Sequence, residues 1–138
     1  MTLIPFPPKD DNNCFGCGGG NNHGLKLSFI WDSEKEITTA TYTPQIEYSG
    51  GHNILHGGII ATILDEACSK ILSGMKKTGM TRNINIDYLK PIEIGKDIKI
   101  KAWCEKIVRH KYFLKSEILN RDDEVCATAS ALFMVLKF

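Results

Sequence analysis

The sequence has no apolar run long enough to cross a bilayer. Its first residues, MTLIPFPPKDDNN, also lack the basic segment and the apolar stretch of a secretory signal, so we expect a cytoplasmic protein. The formal net charge is +1, which is too small to favour nucleic acid or an anionic membrane as a partner. We therefore expect neither partner, and any other must be inferred from a specific site.

Cysteine is present, but not in the pattern of a disulfide framework or of a complete metal site. Five cysteines, an odd number, fit reduced thiols better than paired ones. Cys14 and Cys17 form a CxxC pair, which is half of a zinc site, and His23 could extend it. No second CxxC or HxxxH pair completes four ligands, and the following GGGNNHG does not open the helix that a redox pair needs. We expect no metal and no cofactor, only a glycine-rich turn whose thiols pack under the N-terminal segment.

Helices that alternate with strands are missing as well, which argues against a parallel βαβ design. The 138 residues fit a single domain, residues 1–138, whose first 25 residues or so are rich in Pro, Asn and Gly and predict an arm without regular elements. Runs of β-branched and aromatic residues predict strands at about 26–31, 37–43, 80–90, 97–107, 111–120 and 124–136. We expect an α+β fold, with an antiparallel curved sheet of about six strands wrapped around one long central helix.

The helix is predicted from about Gly57 to Ser73, with Gly74 at the position that ends it. Its apolar side chains recur at helical spacing and form one buried stripe: Ile60, Ile63, Leu64, Ala67 and Ile71.

Two neighbouring acids on this helix have different predicted environments. At 100° per residue, Asp65 lies about 140° from Ile60 among small residues, whereas Glu66 has Lys70 one turn away. We expect Glu66 to be a surface charge paired with Lys70. Asp65 is either a surface acid of no consequence or a carboxylate at the bottom of a space that a ligand or another chain enters, and its small neighbours favour the second interpretation.

Gly57 and Gly58 open the helix. Glycine here is either a tolerated cap or a means of exposing backbone N–H groups at the positive end of the helix dipole, where they suit a developing oxyanion. Gly57 and Asp65 are eight residues apart, about 12 Å along a helix axis, whereas an attacked carbonyl needs its donor and its base within about 3 Å. If both act on one substrate, they come from two subunits related by a two-fold axis.

The segment HNILHGGIIATILDEA resembles the HGG-containing helix of hotdog-fold acyl-CoA thioesterases, in the group that includes phenylacetyl-CoA thioesterases. His56, Gly57 and Gly58 match the HGG, and Asp65 matches the aspartate seven residues after the second glycine. CFGCGGGNNHGLKLSF resembles the arm before this motif in one branch of the group, and TRNINIDYLKPIEIGKDIKI resembles the strand after the helix. The resemblance covers roughly residues 14–135.

The resemblance implies a hotdog thioesterase domain, a homodimer or homotetramer with active sites at the subunit interface, and hydrolysis of an acyl-CoA substrate to a free acid and CoA. It implies that the Gly57 amide binds the thioester oxygen, while Asp65 of the neighbouring chain acts as nucleophile or as general base on water. Thr81 matches a residue that positions this water. His56 either orients the loop and contacts the carbonyl, or is a histidine satisfied by the backbone.

Gly58 and Asn53 are the further residues that we expect to contact substrate. The chain departs from some relatives at Gly50, where they have Asn or Gln six residues before the histidine, and Asn53 is out of register with that position. The alternative function is therefore a non-catalytic protein that binds or senses acyl-CoA on the same fold. A dehydratase is a third hypothesis, and a weaker one, because His56 does not obviously face Asp65 as a base paired with an acid.

Overall fold

The computed structural model describes residues 2–136. In chain order it contains strands β1 (Leu3–Phe6), β2 (Phe29–Asp32) and β3 (Ile37–Tyr42), a 3-10 turn (Ile46–Tyr48), helix α1 (Gly57–Gly74), and strands β4 (Gly79–Tyr88), β5 (Ile98–Val108), β6 (Lys111–Leu119) and β7 (Val125–Val135). All strand pairs are antiparallel and form one sheet in the order β1-β2-β3-β5-β6-β7-β4. Helix α1 contacts every strand from β2 to β7.

The predicted antiparallel sheet around one helix is confirmed, but the sheet has seven strands rather than about six. The additional strand, β1, lies in the segment that was expected to lack regular elements, and it pairs with β2 at the edge of the sheet. Its side chains are mostly exposed, so no buried alternation marks it in the sequence. Pro5 is tolerated there because an edge strand leaves one side of its backbone unpaired. The strand forms because β2 offers it a free edge, which local sequence does not reveal.

The predicted apolar stripe of α1 is confirmed as its buried face. Ile63, Leu64, Ala67 and Ile71 are 0% exposed, and Ile60 is 5% exposed. The sheet contributes the other half of the core with large apolar side chains: Phe29, Trp31, Ile98, Ile100, Leu114, Ile118 and Phe133.

Two buried hydroxyls of the sheet also bind the helix backbone. Thr38 on β3 donates to the carbonyl of Ala67 at 3.0 Å, and Ser116 on β6 donates to the carbonyl of Leu64 at 3.0 Å. Both hydroxyl-bearing residues are at most 1% exposed, so each would be costly to bury without such an acceptor. These two bonds fix the rotation of α1 over the sheet.

The helix ends one residue later than predicted, and Gly74 is not the residue that ends it. Gly74 is still helical, while Lys76 adopts the left-handed conformation with φ of 58°. The N–H of Lys77 donates to the carbonyl of Leu72 at 2.8 Å, and the N–H of Lys76 donates to that of Ser73 at 3.1 Å. These are the two bonds of a Schellman motif. A lysine therefore takes the place that glycine usually holds.

Gly74 is required instead by packing against Trp31. A Cβ atom at this position would lie within 2.6 Å of three atoms of the Trp31 indole. Alanine normally stabilises a helix relative to glycine by about 1 kcal/mol, but we expect Gly74→Ala to lower the free energy of unfolding by about 1–3 kcal/mol through overpacking. Chemical denaturation measures the difference. Gly51→Ala is the control, because no heavy atom lies within 4 Å of its Cβ position. If Gly74→Ala is as stable as the unmutated protein, this packing argument is wrong.

Candidate active site

His56 caps the N-terminus of α1. Its backbone is extended (φ −62°, ψ 137°), and its Nδ1 accepts a hydrogen bond from the N–H of Gly58 at 2.8 Å. A nitrogen that accepts carries no proton, so the neutral ring carries its proton on Nε2 and can donate from there. His56 is exposed, and no residue of 2–136 hydrogen-bonds to this second nitrogen. The histidine is thus satisfied by the backbone on one side and is a free donor on the other.

The two glycines of the motif have different roles in the backbone. The N–H of Gly58 is engaged by His56, whereas the N–H of Gly57 has no acceptor within residues 2–136. Gly57 is exposed at the first turn of α1, where the helix dipole is positive. It also borders a cavity of about 280 Å³, together with apolar side chains that include Leu55, Ile60 and Tyr88. The Gly57 amide is therefore placed to bind a carbonyl oxygen or an anion.

Asp65 lies two turns further along the helix, where Thr81 of β4 contacts it. The Thr81 hydroxyl donates to Oδ1 of Asp65 at 2.6 Å, and the carboxylate is half-buried. Pairing between β4 and β7 is interrupted between Thr81 and Asn83, and such bulges re-aim side chains at functional sites. A hydroxyl that donates to a carboxylate orients it and leaves Oδ2 available. The structure thus brings together Asp65 and Thr81.

Strand β4 connects the two halves of the candidate site. Thr81 near its start contacts α1 at Asp65, while the hydroxyl of Tyr88 at its end donates to the carbonyl of Gly57 at 3.0 Å. Tyr88 was not among the site residues predicted from the sequence. Its place as an aromatic residue at the end of an alternating strand is the signal that could have identified it. β4 is the last strand of the sheet, so its outer edge has unpaired backbone groups. Exposed Met80 lies on the same strand.

Asn53 and Gly50 belong to the loop before His56, and the Asn53 side chain makes no hydrogen bond to another candidate residue within 2–136. Asn53 is exposed and left-handed with φ of 62°, and its carbonyl accepts from the N–H of Ile94 at 3.1 Å. Gly50 lies beside the motif, since its Cβ position is 3.3 Å from the Cα of His56. A side chain at position 50 would therefore border the histidine.

The prediction that Glu66 is a surface charge paired with Lys70 is wrong. The N-terminal arm covers this side of α1, and Cys14 Sγ donates to Oε1 of Glu66 at 3.1 Å. Lys70 Nζ donates instead to Sγ of Cys17 at 3.1 Å. The thiols do pack under the arm, as predicted, but they contact two charged side chains. An i, i+4 pair was expected because the sequence does not show what covers the helix.

Cysteine is an unsuitable nucleophile at four of its five positions. Burial raises the pKa of the Cys17 thiol to about 11 and that of Cys68 to about 12. Burial also raises the pKa of Cys104 and of Cys126. Because the thiolate is the nucleophilic form, these four thiols are protonated near neutral pH and are poor nucleophiles. The Asp65 carboxylate is the better candidate for attack or for base catalysis.

The contribution of the His56 cap to the stability of the protein can be measured. We expect His56→Ala to lower the free energy of unfolding by about 1 kcal/mol, because the N–H of Gly58 loses its acceptor. His56→Asn places a favourable N-cap residue at the same position and should recover most of the loss. Urea denaturation of the three proteins tests this. Equal destabilisation by Ala and Asn would show that the ring contributes through something other than the cap.

Comparisons with known proteins agree with this geometry. A model of the thioesterase superfamily matches residues 52–127. The acyl-coenzyme A thioesterase THEM4 of Rattus norvegicus is 30% identical over 118 residues, which are 82% of this chain and 49% of that protein. The chain therefore spans about half the length of the THEM4 proteins that it matches.

Solved structures share the fold. A thioesterase superfamily protein superimposes with a TM-score of 0.83 at 22% identity, over 88% of this chain and 60% of that one. A Streptococcus mutans protein bound to acetyl CoA superimposes with a TM-score of 0.71 at 20% identity, over 74% and 82% of the two chains. With the helix and the antiparallel sheet described above, these matches confirm the hotdog fold. No helix among residues 2–136 is long and apolar enough to cross a membrane.

Proposed function

Because this chain belongs to the thioesterase superfamily, we propose that it hydrolyses an acyl-CoA thioester to a free acid and CoA. The observation that carries the proposal is that one helix holds two groups suited to this reaction. The Gly57 amide at its N-terminus has no acceptor among residues 2–136, and the Asp65 carboxylate further along accepts from Thr81. Two of the similar proteins support acyl-CoA as the substrate class. The THEM4 proteins are named as acyl-coenzyme A thioesterases, and the Streptococcus mutans protein is bound to acetyl CoA.

The Gly57 amide binds the thioester oxygen in this proposal. Attack on the carbonyl carbon places negative charge on that oxygen, and a donor at the positive end of a helix dipole stabilises it. His56 holds the first turn through Gly58 and presents its Nε2–H on the exposed side. Gly58 leaves room for this ring, since its Cβ position is 3.2 Å from Nδ1 of His56. Asn53, on the adjoining loop, is proposed to contact the CoA part of the substrate.

Asp65 supplies the attacking group. It takes a proton from water as that water attacks, or it attacks the carbonyl carbon itself and a water hydrolyses the resulting anhydride. Both routes use Oδ2, since Oδ1 accepts from Thr81. The Thr81 hydroxyl holds the carboxylate at a fixed angle and positions the water. When Asp65 acts as a base, the proton that it takes from water passes to the CoA sulfur. When Asp65 acts as the nucleophile, CoA leaves as the thiolate and takes a proton from solvent.

Two copies of the chain are required to complete the site. Gly57 and Asp65 of one helix are separated by eight residues, about 12 Å, which is too far for one carbonyl. The free edge of β4 supports a two-fold pairing with β4 of a second copy. In an antiparallel pair the Thr81 end of one strand lies beside the Tyr88 end of the other, which brings Asp65 of one copy toward Gly57 of its partner. We therefore propose a homodimer, or a homotetramer built from such dimers.

Two further proposals concern the extent of the domain and the location of the protein. We propose that residues 1–138 form one hotdog domain, because β1 of the arm belongs to the same sheet as β4 to β7. We also propose a cytoplasmic location, which is supported by five free cysteines without a disulfide among the described residues.

Gly50 favours a second candidate function, a protein that binds or senses acyl-CoA without hydrolysing it. Position 50 borders His56 but carries no side chain that could polarise the substrate. This candidate predicts saturable binding of CoA esters without release of CoA thiol. A panel of acyl-CoA esters, assayed for both binding and thiol release, separates the two functions.

Substitution of Asp65 tests its role in the reaction. We expect Asp65→Asn to lower hydrolysis at least about 100-fold, because the amide keeps the shape of the side chain but is neither a base nor a nucleophile. Release of CoA thiol from the panel measures the rate. Asp122→Asn removes a carboxylate from an exposed turn and serves as the matched control. Unchanged hydrolysis in Asp65→Asn would exclude this residue from the reaction.

A dimer of two different variants tests whether the site is shared between chains. Gly57→Pro removes the proposed donor, and proline suits the first helical position because the preceding His56 has ψ of 137°. We expect homodimers of Gly57→Pro and of Asp65→Asn each to be nearly inactive. A heterodimer of the two, isolated with two affinity tags, contains one intact shared site and should have about half of the unmutated activity.

An inactive heterodimer would mean that both groups act within one chain, whereas a fully active Gly57→Pro homodimer would mean that the Gly57 amide is not used. Gly57→Ala is the matched variant, since it keeps the N–H and its Cβ meets the Tyr88 ring at an ordinary 3.6 Å. It should therefore be more active than Gly57→Pro.

A further inference from the structure

Three potential metal ligands meet where the arm crosses α1. The Sγ atoms of Cys14 and Cys17 and a carboxylate oxygen of Glu66 all lie within 4.8 Å of one another. Cys17 is buried, and the other two residues are half-buried. The third ligand comes from a helix 49 positions after Cys17, so no CxxC or HxxxH spacing marks it in the sequence. The fold therefore supplies what the isolated CxxC pair lacks.

The turn that carries the two thiols is built for close approach. The N–H of Gly18 donates to the carbonyl of Cys14 at 2.9 Å, which closes a turn around the pair. A Cβ atom on Gly16 would lie 2.6 Å from Oε1 of Glu66, and one on Gly18 would lie 2.5 Å from the backbone nitrogen of Cys14. Glycine at both positions lets the CFGCG turn bring its thiols against the helix.

The charges of the cluster favour a divalent cation. Two thiolates and one carboxylate would carry −3, so a divalent ion leaves −1. The ammonium group of Lys70, 3.1 Å from Cys17 Sγ, offsets this remaining charge with an N–H···S hydrogen bond. Donors to a ligand atom from outside the coordination sphere are common around protein metals and help to fix the ligand. Lys70 is therefore compatible with a metal site because it contacts a ligand atom and leaves the Glu66 carboxylate free of an ion pair.

We propose that Cys14, Cys17 and Glu66 bind a zinc ion that fastens the arm to α1. Thiolate ligands select zinc over the hard cations magnesium and calcium, and a carboxylate oxygen is an accepted third ligand. On binding, the ion displaces the protons of the two thiols, and water fills the fourth tetrahedral position. The site lies one residue from Asp65, so zinc would stabilise the part of α1 that carries the proposed base.

Metal titration of the full-length protein tests this site. Purified protein is reduced, stripped with a chelator and titrated with Zn²⁺ in competition with a chromophoric chelator. We expect about one zinc per chain, a higher unfolding temperature with zinc, and thiolate-to-cobalt charge-transfer absorption when Co²⁺ replaces it. Binding of less than a tenth of a zinc ion per chain would overturn the proposal, and so would binding of Co²⁺ without this charge-transfer absorption. So would a Cys14–Cys17 disulfide that persists in reducing buffer.

Variants identify the ligands independently of catalysis. Cys14→Ser and Cys17→Ser should each abolish stoichiometric binding, and Glu66→Gln, which keeps the side-chain shape, should weaken it at least about tenfold. Cys104→Ser is the control, because Cys104 lies on β5 outside the cluster. If the three ligand variants bind one zinc with unchanged affinity, the ion binds elsewhere and the proposal is wrong. Far-ultraviolet circular dichroism confirms that each variant is folded.

Discussion

The direction in which Asp65 and Glu66 face depends on how α1 is rotated over the sheet. Two buried hydroxyls on separate strands, Thr38 and Ser116, donate to helix carbonyls one turn apart. An apolar stripe alone tolerates some rotation, because aliphatic contacts are not directional. Hydrogen bonds are directional, and an unsatisfied buried hydroxyl is costly. With the rotation fixed in this way, Asp65 faces β4 and Glu66 faces the arm.

The arm and the start of the helix are connected through Tyr48. Its hydroxyl donates to the carbonyl of Gly24 at 2.9 Å, and the Phe15 ring meets its ring edge-on at a centroid distance of 6.1 Å. The backbone carbonyl of Tyr48 accepts from the N–H of His56 at 2.9 Å. The arm therefore supports α1 at two places, at the cap through Tyr48 and in the middle through Glu66. Both supports adjoin residues to which the proposed reaction assigns a role.

Much of the fold could be predicted from the sequence, because it depends on patterns within single elements. The stripe beginning at Ile60 predicted the buried helical face, and the β-branched runs predicted six of the seven strands. Thr81 was named only from family resemblance, and its hydrogen bond to Asp65 was not predicted, since a helix and a strand meet there across 16 positions. The failures have one cause in common. Strand β1, the packing of Gly74 and the partner of Glu66 each depend on a residue that is distant in sequence, and local periodicity contains no information about it.

The single helix that carries both halves of the candidate site also constrains its own length. Since the carbonyls of Leu64 and Ala67 are held by the sheet, one residue inserted between Gly57 and Asp65 would turn the glycine by about 100° around the axis and move it about 1.5 Å outward. In the dimer proposed above, its amide would then point away from the neighbouring chain. Loops accept insertions readily, whereas the proposed shared site requires this eight-residue interval to keep its length. A substitution that only exchanges a side chain within the interval leaves that length unchanged.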